Sequence, residues 1–210
     1  MTFIATVSMG DCVILAADRA VFYFGDLLHE SANKITKTAN GYITAAGEVE
    51  LIQPVKDRFK SDSPTSPEDM VKIINAEQKL YWDRHQGSRR AAEVIEAASW
   101  KITAPWEGGA VLSAFYDSKG LNGLMEGRFM FTYPKSVTEP EKHTVESLAN
   151  KFRYRENGGK TRKEDIDYNL LVIKEIVDAL RSQGHQVSAG IDFAIHHSDW
   201  KLEIASEQLL

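Results

Sequence analysis

The sequence contains a single cysteine, Cys12, among its 210 residues. One cysteine cannot form a disulfide within the chain, so no internal cross-link supports the fold. Because Cys12 is followed directly by the apolar residues 13–15, we interpret it as a buried strand residue rather than a reactive thiol. A chain of this length can bury a sizeable core without such links, and we predict one domain over residues 1–210.

Long apolar runs and an excess of positive charge are also lacking. No run approaches the roughly 20 apolar residues that a helix needs to cross a bilayer, and no charged-then-apolar leader opens the sequence. We therefore expect a cytoplasmic protein without a membrane partner. The formal net charge is −5, which argues against nucleic acid as a partner because proteins that bind it usually carry a basic face.

The histidines do not have the spacing of metal ligands. Of the six, only His196 and His197 are adjacent. Neighbouring residues of a strand point to opposite faces of a sheet, so these two cannot easily bind one ion. We expect no metal site.

The sequence does have a regular succession of strand and helix patterns. Apolar residues alternate in the predicted strands and recur every three or four positions in the predicted helices. Hairpins are predicted over residues 2–17, 34–46, 110–125 and 188–205. Helices are predicted from Val49, from Ser66 as N-cap, and over residues 90–99, 145–152 and 165–181, with residues 128–140 unassigned. This order favours an α+β fold with antiparallel sheets and helices outside them.

A small hydroxyl residue, Thr2, stands directly after Met1 at the start of a predicted strand. Removal of Met1 would leave Thr2 with a free α-amine, whose reference pKa is roughly 7.7–8.0. Such an amine can accept the proton of the neighbouring hydroxyl and make it a nucleophile. Thr2 is therefore a candidate catalytic residue, on the condition that Met1 is removed, because an acylated nitrogen cannot act as a base.

Two charged residues adjoin the apolar runs of the first hairpins. Asp18 ends the second predicted strand, and Lys34 begins the third. A lysine near the α-amine disfavours the protonated amine and keeps it basic, and an aspartate paired with the lysine holds the lysine charged and in place. The alternative is that each residue is a solvated charge at a strand end.

With these residues in place, the beginning of the chain resembles that of a proteasome β-type subunit and of the peptidase subunit of the two-component bacterial ATP-dependent protease. The resemblance lies in residues 2–7 and 10–19, which include Ala16-Ala17-Asp18. In that family a nucleophilic threonine, an aspartate and a lysine follow one another in the steps found here, 16 residues from Thr2 to Asp18 and 16 from Asp18 to Lys34. The resemblance implies an N-terminal-nucleophile hydrolase fold, an αββα sandwich of two antiparallel sheets flanked by helices.

The resemblance also implies two further site residues. Gly47 matches the family's glycine whose N–H helps to form the oxyanion hole, if one residue is deleted in the second hairpin. Ser188 matches a serine that lies near the threonine amine and supports it. The sequence departs from the family at His185, where an aspartate is usual, and between residues 126 and 141, where no Gly-Ser-Gly segment occurs.

The activity implied by the resemblance is that of a threonine endopeptidase, which cleaves unfolded polypeptides or peptides without a cofactor. Members of the family assemble into rings, often fed by an ATPase unfoldase, and the resemblance implies a homo-oligomeric ring here. Two alternatives remain at this point. The departures from the family pattern suggest a catalytically inactive assembly subunit, and related folds that act as amidases suggest a hydrolase of small amides.

Overall fold

Two antiparallel sheets of five strands each form the centre of the structure. The computed structural model describes residues 2–23, 26–29, 33–105, 110–154, 161–199 and 202–207, with residues 22–23, 26–29 and 202–207 described by their backbone. The first sheet, in spatial order, consists of β10 (Arg128–Thr132), β1 (Ile4–Ser8), β2 (Cys12–Asp18), β11 (Ile191–His197) and β12 (Leu202–Glu207). The second consists of β5 (Ile35–Lys37), β6 (Tyr42–Ala46), β7 (Ser99–Pro105), β8 (Val111–Asp117) and β9 (Gly120–Leu124). A separate pair is formed by β3 (Val21–Tyr23) and β4 (Asp26–His29).

Helices cover the outer face of each sheet. On the second sheet lie α1 (Val49–Asp62), α2 (Pro67–Arg84) and α3 (Arg89–Ala97), and on the first sheet lie α4 (Glu139–Ala149) and α5 (Arg162–Ser182). The beginning of α2 shows a side-chain cap. The Ser66 hydroxyl accepts the N–H of Asp69 at 3.1 Å, as expected for an N-cap.

The alternation of residues along β1 shows how the layers are built. Phe3, Ala5 and Val7 pack against α4 and α5, whereas Ile4 packs against the second sheet. Every residue of β1 and β2 is buried, because each strand has a helix layer on one side and a sheet on the other. The predicted αββα sandwich with two antiparallel sheets is confirmed.

The first hairpin brings the beginning of the chain beside the end of β2. Ile4 pairs with Ala17, and the turn is closed by the Met9 N–H, which donates to the Cys12 carbonyl at 2.9 Å. Gly10 has a φ of +87° in this turn, a conformation that glycine adopts without steric cost. Thr2 and Asp18 therefore lie at the same end of the sandwich.

The third helix ends earlier than the predicted boundary at residue 99, and a strand that was not predicted follows it. The helix ends at Ala97, and Ser99 begins β7, a central strand of the second sheet. Lys101 faces the first sheet from this strand with only 4% of its surface exposed, and its ammonium lies 5.2 Å from the centroid of the Phe115 ring. Burial lowers the pKa of Lys101 to about 8. A charged residue inside a strand covered on both faces hides the strand pattern in the sequence.

The unassigned residues 128–140 contain β10, which adds an edge strand to the first sheet. Thr132 pairs with Ile4, and the rings of Phe129 and Phe131 lie 5.0 Å apart on the face toward the helices. The strand ends beside the beginning of β1. The loop that follows it is therefore at the same end of the molecule as Thr2.

A buried histidine joins the two sheets. His196 Nδ1 lies 3.0 Å from Thr103 Oγ1, which also accepts the Tyr42 N–H at 3.0 Å. Burial lowers the pKa of His196 to about 4, so the ring is neutral at pH 7 and can accept the threonine proton. His196 is thus part of the packing between the sheets.

Candidate active site

Asp18 is the centre of a buried cluster at the end of β2. The residue is fully buried, and its Oδ1 accepts the Phe3 N–H at 2.8 Å and the Lys34 ammonium at 3.0 Å. Its Oδ2 accepts the Ala20 N–H at 3.1 Å. Three donors therefore hold the carboxylate, which fixes its orientation.

Lys34 is the partner that the sequence predicted for Asp18. It lies directly before β5 and is 8% exposed. Burial lowers the pKa of the Lys34 ammonium, while the charges of Asp18 and Asp192 oppose that change. The alternative of two solvated charges at strand ends is wrong, because both side chains are buried and paired.

The main chain of Lys34 is held from both sides by residues that sequence reasoning missed. Lys56, on α1, donates from its ammonium to the Lys34 carbonyl at 2.6 Å. Asp192, on β11, accepts a hydrogen bond from the Lys34 backbone. Lys56 and Asp192 are 6% and 4% exposed, so both contacts are sheltered from water. The signal in the sequence was a charged residue within an apolar pattern, between Val55 and Phe59 for Lys56.

The charged groups around Lys34 change one another's pKa values. Burial lowers the pKa of Lys56 to about 8, with a further contribution from the nearby charge of Lys34. Burial raises the pKa of Asp192, against the opposing effect of Arg19, whose Nε lies 3.6 Å from Asp192 Oδ1. The cluster thus contains three lysine or arginine side chains and two carboxylates, with lysine pKa values closer to neutrality than usual.

Thr2 lies directly beside the Asp18–Lys34 pair. The N–H that donates to Asp18 Oδ1 belongs to Phe3, so the carbonyl carbon of Thr2 is bonded to that nitrogen. The Asp18 N–H in turn donates to the Phe3 carbonyl at 3.1 Å. These two bonds fix the residue after Thr2 against the end of β2, and Thr2 itself is half-buried.

Gly47 follows β6 at the same end of the second sheet as Lys34. Ile35 pairs with Thr44 across the β5–β6 hairpin, so both residues leave this hairpin at its open end. Gly47 has a φ of +151°, and a Cβ at this position would lie 3.4 Å from Ala98 Cα and from Ile52 Cδ1. These are ordinary van der Waals distances, so it is the backbone conformation that favours glycine.

Ser188 contacts the residue after Asp18. Its hydroxyl accepts the Arg19 N–H at 2.8 Å and donates to the Gly190 carbonyl at 2.7 Å. The same Arg19 N–H also approaches the Gly190 carbonyl at 3.2 Å. Ser188 therefore fastens the segment before β11 to the end of β2.

The structure brings Thr2, Asp18 and Lys34 together, with Ser188 against the residue after Asp18, and it places Gly47 at the same end of the second sheet as Lys34. A groove lies next to Lys34 and is lined by its neighbours Asn33 and Ile35 rather than by these five residues. It has a volume of about 330 Å³ and runs between β5 and α1. Lys37, Lys56 and Lys60 line it, which makes it positively charged. Across the described ranges there is no group of three or more His, Cys, Asp or Glu side chains placed to hold a metal ion.

Comparison with known proteins gives a match to a solved structure, the Gly-1 mutant of Anbu from Hyphomicrobium sp. strain MC1. The match covers 98% of this chain and 87% of that chain, with a TM-score of 0.69 and 9% sequence identity. The two chains share a fold. Anbu has the N-terminal-nucleophile-hydrolase-like fold, as the resemblance of the first strands predicted. No family model matches the sequence, and no curated protein matches it.

The likeness to Anbu concerns the fold alone, because identity is so low. In the segments that the structure describes, no helix has the length and apolar character needed to cross a membrane.

Proposed function

We propose that the chain is a proteasome-like threonine peptidase whose nucleophile is the Thr2 hydroxyl after removal of Met1. The observation that carries the proposal is the shared oxygen, Asp18 Oδ1, which accepts both the Lys34 ammonium and the N–H next to Thr2. A buried ammonium is thereby fixed beside the position that the nucleophile would occupy. The fold shared with Anbu supports the same class.

In the proposed reaction, the Thr2 α-amine takes the hydroxyl proton, and Thr2 Oγ1 bonds to the carbonyl carbon of the peptide. The nearby Lys34 charge lowers the pKa of the amine and so favours its neutral, basic form. The amine then gives the proton to the departing nitrogen as the C–N bond breaks, and water hydrolyses the resulting ester.

Two residues have supporting roles in the proposal. The Gly47 N–H would donate to the carbonyl oxygen as it becomes negative, a type of contact worth about 3–4 kcal/mol in hydrolases. Ser188, through Arg19, would keep the end of β2 and Asp18 in place. No cofactor is needed for this chemistry.

The proposal extends to assembly and substrate. We expect a ring of identical subunits in the cytoplasm, acting on unfolded polypeptides or peptides, with an ATPase unfoldase as a partner. Exposed apolar side chains on the outer helices support contacts between subunits, since Val49 is 62% exposed and Leu80 is 51% exposed. Single exposed residues of this kind are common, so the oligomeric state has to be measured.

Intact mass spectrometry, before and after an inhibitor directed at N-terminal threonine, tests the proposal. We expect loss of Met1 and one covalent adduct, located on Thr2 by peptide mapping. Thr2→Ser keeps a hydroxyl and should retain measurable peptide cleavage, whereas Thr2→Ala and Lys34→Ala should lose it while melting as folded proteins. A full-length, unlabelled protein would contradict the proposal.

The alternative of an inactive assembly subunit rests on two departures from the family pattern, His185 in place of the usual aspartate and the missing Gly-Ser-Gly segment between residues 126 and 141. It predicts a ring by light scattering with no adduct on Thr2. A hydrolase of small amides would form the adduct but cleave amino-acid amides in preference to peptides. The same labelled protein therefore separates all three functions.

A further inference from the structure

A serine, a histidine and a glutamate meet near the end of β10, outside the Asp18 cluster. Ser136 Oγ, in the loop before α4, lies 3.1 Å from His185 Nδ1. The other ring nitrogen of His185, Nε2, lies 3.3 Å from Oε1 of Glu141, in the first turn of α4. The histidine ring thus lies between a hydroxyl and a carboxylate, the order of groups that activates a serine nucleophile.

The base and the carboxylate are held in place by the surrounding structure. Glu141 Oε2 accepts the N–H and the hydroxyl of Thr138 at 2.7 and 2.6 Å, which leaves Oε1 facing the histidine. The backbone of His185 donates to the Leu180 carbonyl at 3.1 Å and accepts from the Val187 N–H at 2.9 Å. The main chain that carries the ring is therefore held on both sides.

Exposure differs between the three groups in a way that suits catalysis. The His185 side chain is 7% exposed and that of Glu141 is 29% exposed, whereas Ser136 is exposed. A substrate can reach the hydroxyl while the base is sheltered. The Glu141 carboxylate favours the tautomer with the proton on Nε2, so that Nδ1 is free to accept the serine proton.

We propose that Ser136, His185 and Glu141 form a second nucleophilic site, which hydrolyses small carboxylic esters. The proposal does not require Thr2 or the removal of Met1. Esters are the fitting substrate class because an alcohol leaves more readily than an amine. Because Ser136 is exposed, the site makes few contacts with a substrate, and the binding energy is too small to compensate for the poorer leaving group of an amide.

The reaction has two steps. Ser136 Oγ bonds to the ester carbonyl carbon as its proton passes to His185 Nδ1, and the proton then goes to the departing alcohol as the C–O bond breaks. Water next attacks the acyl-serine and gives its proton through His185 to Ser136 Oγ, releasing the carboxylic acid. Glu141 stabilises the protonated ring. Its 3.3 Å contact is an ion-pair distance without hydrogen-bond alignment, as is common before substrate binds.

A fluorophosphonate probe, which reacts with activated serines, tests the site on the full chain. Peptide mapping of the labelled wild-type protein should place the adduct on Ser136, and Thr2→Ala should be labelled at the same rate. Ser136→Ala should lose this adduct. His185→Gln should be labelled at a rate at least about a hundredfold lower than that of the wild type. Ser147→Ala is the matched control, because this exposed serine of α4 donates to the Thr144 carbonyl instead.

Hydrolysis of p-nitrophenyl acetate, measured in the Thr2→Ala background so that Thr2 does not contribute, should be lost with Ser136→Ala, reduced with His185→Gln and unchanged with Ser147→Ala. Absence of an adduct on Ser136 in the folded wild-type protein would overturn the inference, as would an unchanged labelling rate in His185→Gln. Since the adduct is located on the wild-type protein, the result does not depend on the folding of any variant. Labelling confined to Thr2 would overturn this inference and leave the peptidase proposal standing.

Discussion

Replacing Asp18 with asparagine keeps the shape of the side chain and removes its charge. The Lys34 ammonium would then be buried without the carboxylate that accepts it at 3.0 Å. Removing one member of a buried ion pair typically costs about 3–5 kcal/mol, because the remaining charge is left unpaired. Asp192 also favours the charged form of Lys34, so we expect the lower part of this range for Asp18→Asn, about 3–4 kcal/mol.

The change is large enough to measure by two methods. For a chain of this size, 1 kcal/mol shifts the melting temperature by roughly 2–4 °C, so Asp18→Asn should melt about 6–16 °C below the wild type. Urea unfolding at pH 7 should give the loss of free energy directly. Asp57→Asn is the control, because its ion pair with Lys60 is exposed and 3.9 Å long, and it should change the free energy by about 0.5 kcal/mol or less.

A second variant distinguishes an unpaired charge from a general loss of packing. The double variant Asp18→Asn with Lys34→Met removes both charges and should be more stable than Asp18→Asn alone, by about 2 kcal/mol or more. If Asp18→Asn costs less than about 1 kcal/mol, or if the double variant is less stable than the single one, the buried pair does not have the energetic role assigned to it.

Three further predictions concern other buried groups. Lys101→Met should stabilise the protein by about 1–3 kcal/mol at pH 7, because it removes a buried charge. The pKa of Lys101 falls from 10.5 in the unfolded chain to about 8 in the folded protein, so the stability of the wild type should rise between pH 8 and pH 10.5. Urea titrations at several pH values should show a smaller rise for the variant. Gly47→Ala should cost about 1–2 kcal/mol in thermal unfolding through its φ of +151° and should slow peptide cleavage; a variant as stable and active as the wild type would contradict this. Burial raises the pKa of Cys12 to about 12, so a thiol reagent at pH 8 should modify it in urea but not in the native protein.

Local patterns in the sequence were sufficient for the α+β class with antiparallel hairpins, whereas the αββα sandwich and the choice of a paired Asp18 and Lys34 over two solvated charges came from the resemblance of the first strands. Two hairpins with clear turns place Thr2 beside Asp18 and Lys34 before β5. The continuous apolar run of β2 made Asp18 stand out as a charge at the edge of a core. The predicted contact between Asp18 and Lys34 is present at 3.0 Å.

The rest of the site depends on contacts between residues distant in the sequence. Lys56 reaches Lys34 from α1, and Asp192 reaches it from β11, and neither contact follows from a local period. The pairing of β10 with β1 joins residues more than a hundred positions apart, and Ser136 meets His185 only because α5 returns the chain to that end. Burial of Lys101 hid β7, since a lysine normally indicates a solvated position.

The strand order of the two sheets bears on how the chain is made. The second sheet uses strands from residues 35–124 that are joined mostly to neighbours along the chain, so it can assemble while synthesis continues. In the first sheet, β2 pairs with β11, where Ala17 lies opposite Asp192. The earliest strands to leave the ribosome therefore wait for nearly the last ones, and their apolar surfaces stay uncovered during that interval, when chaperones can bind them.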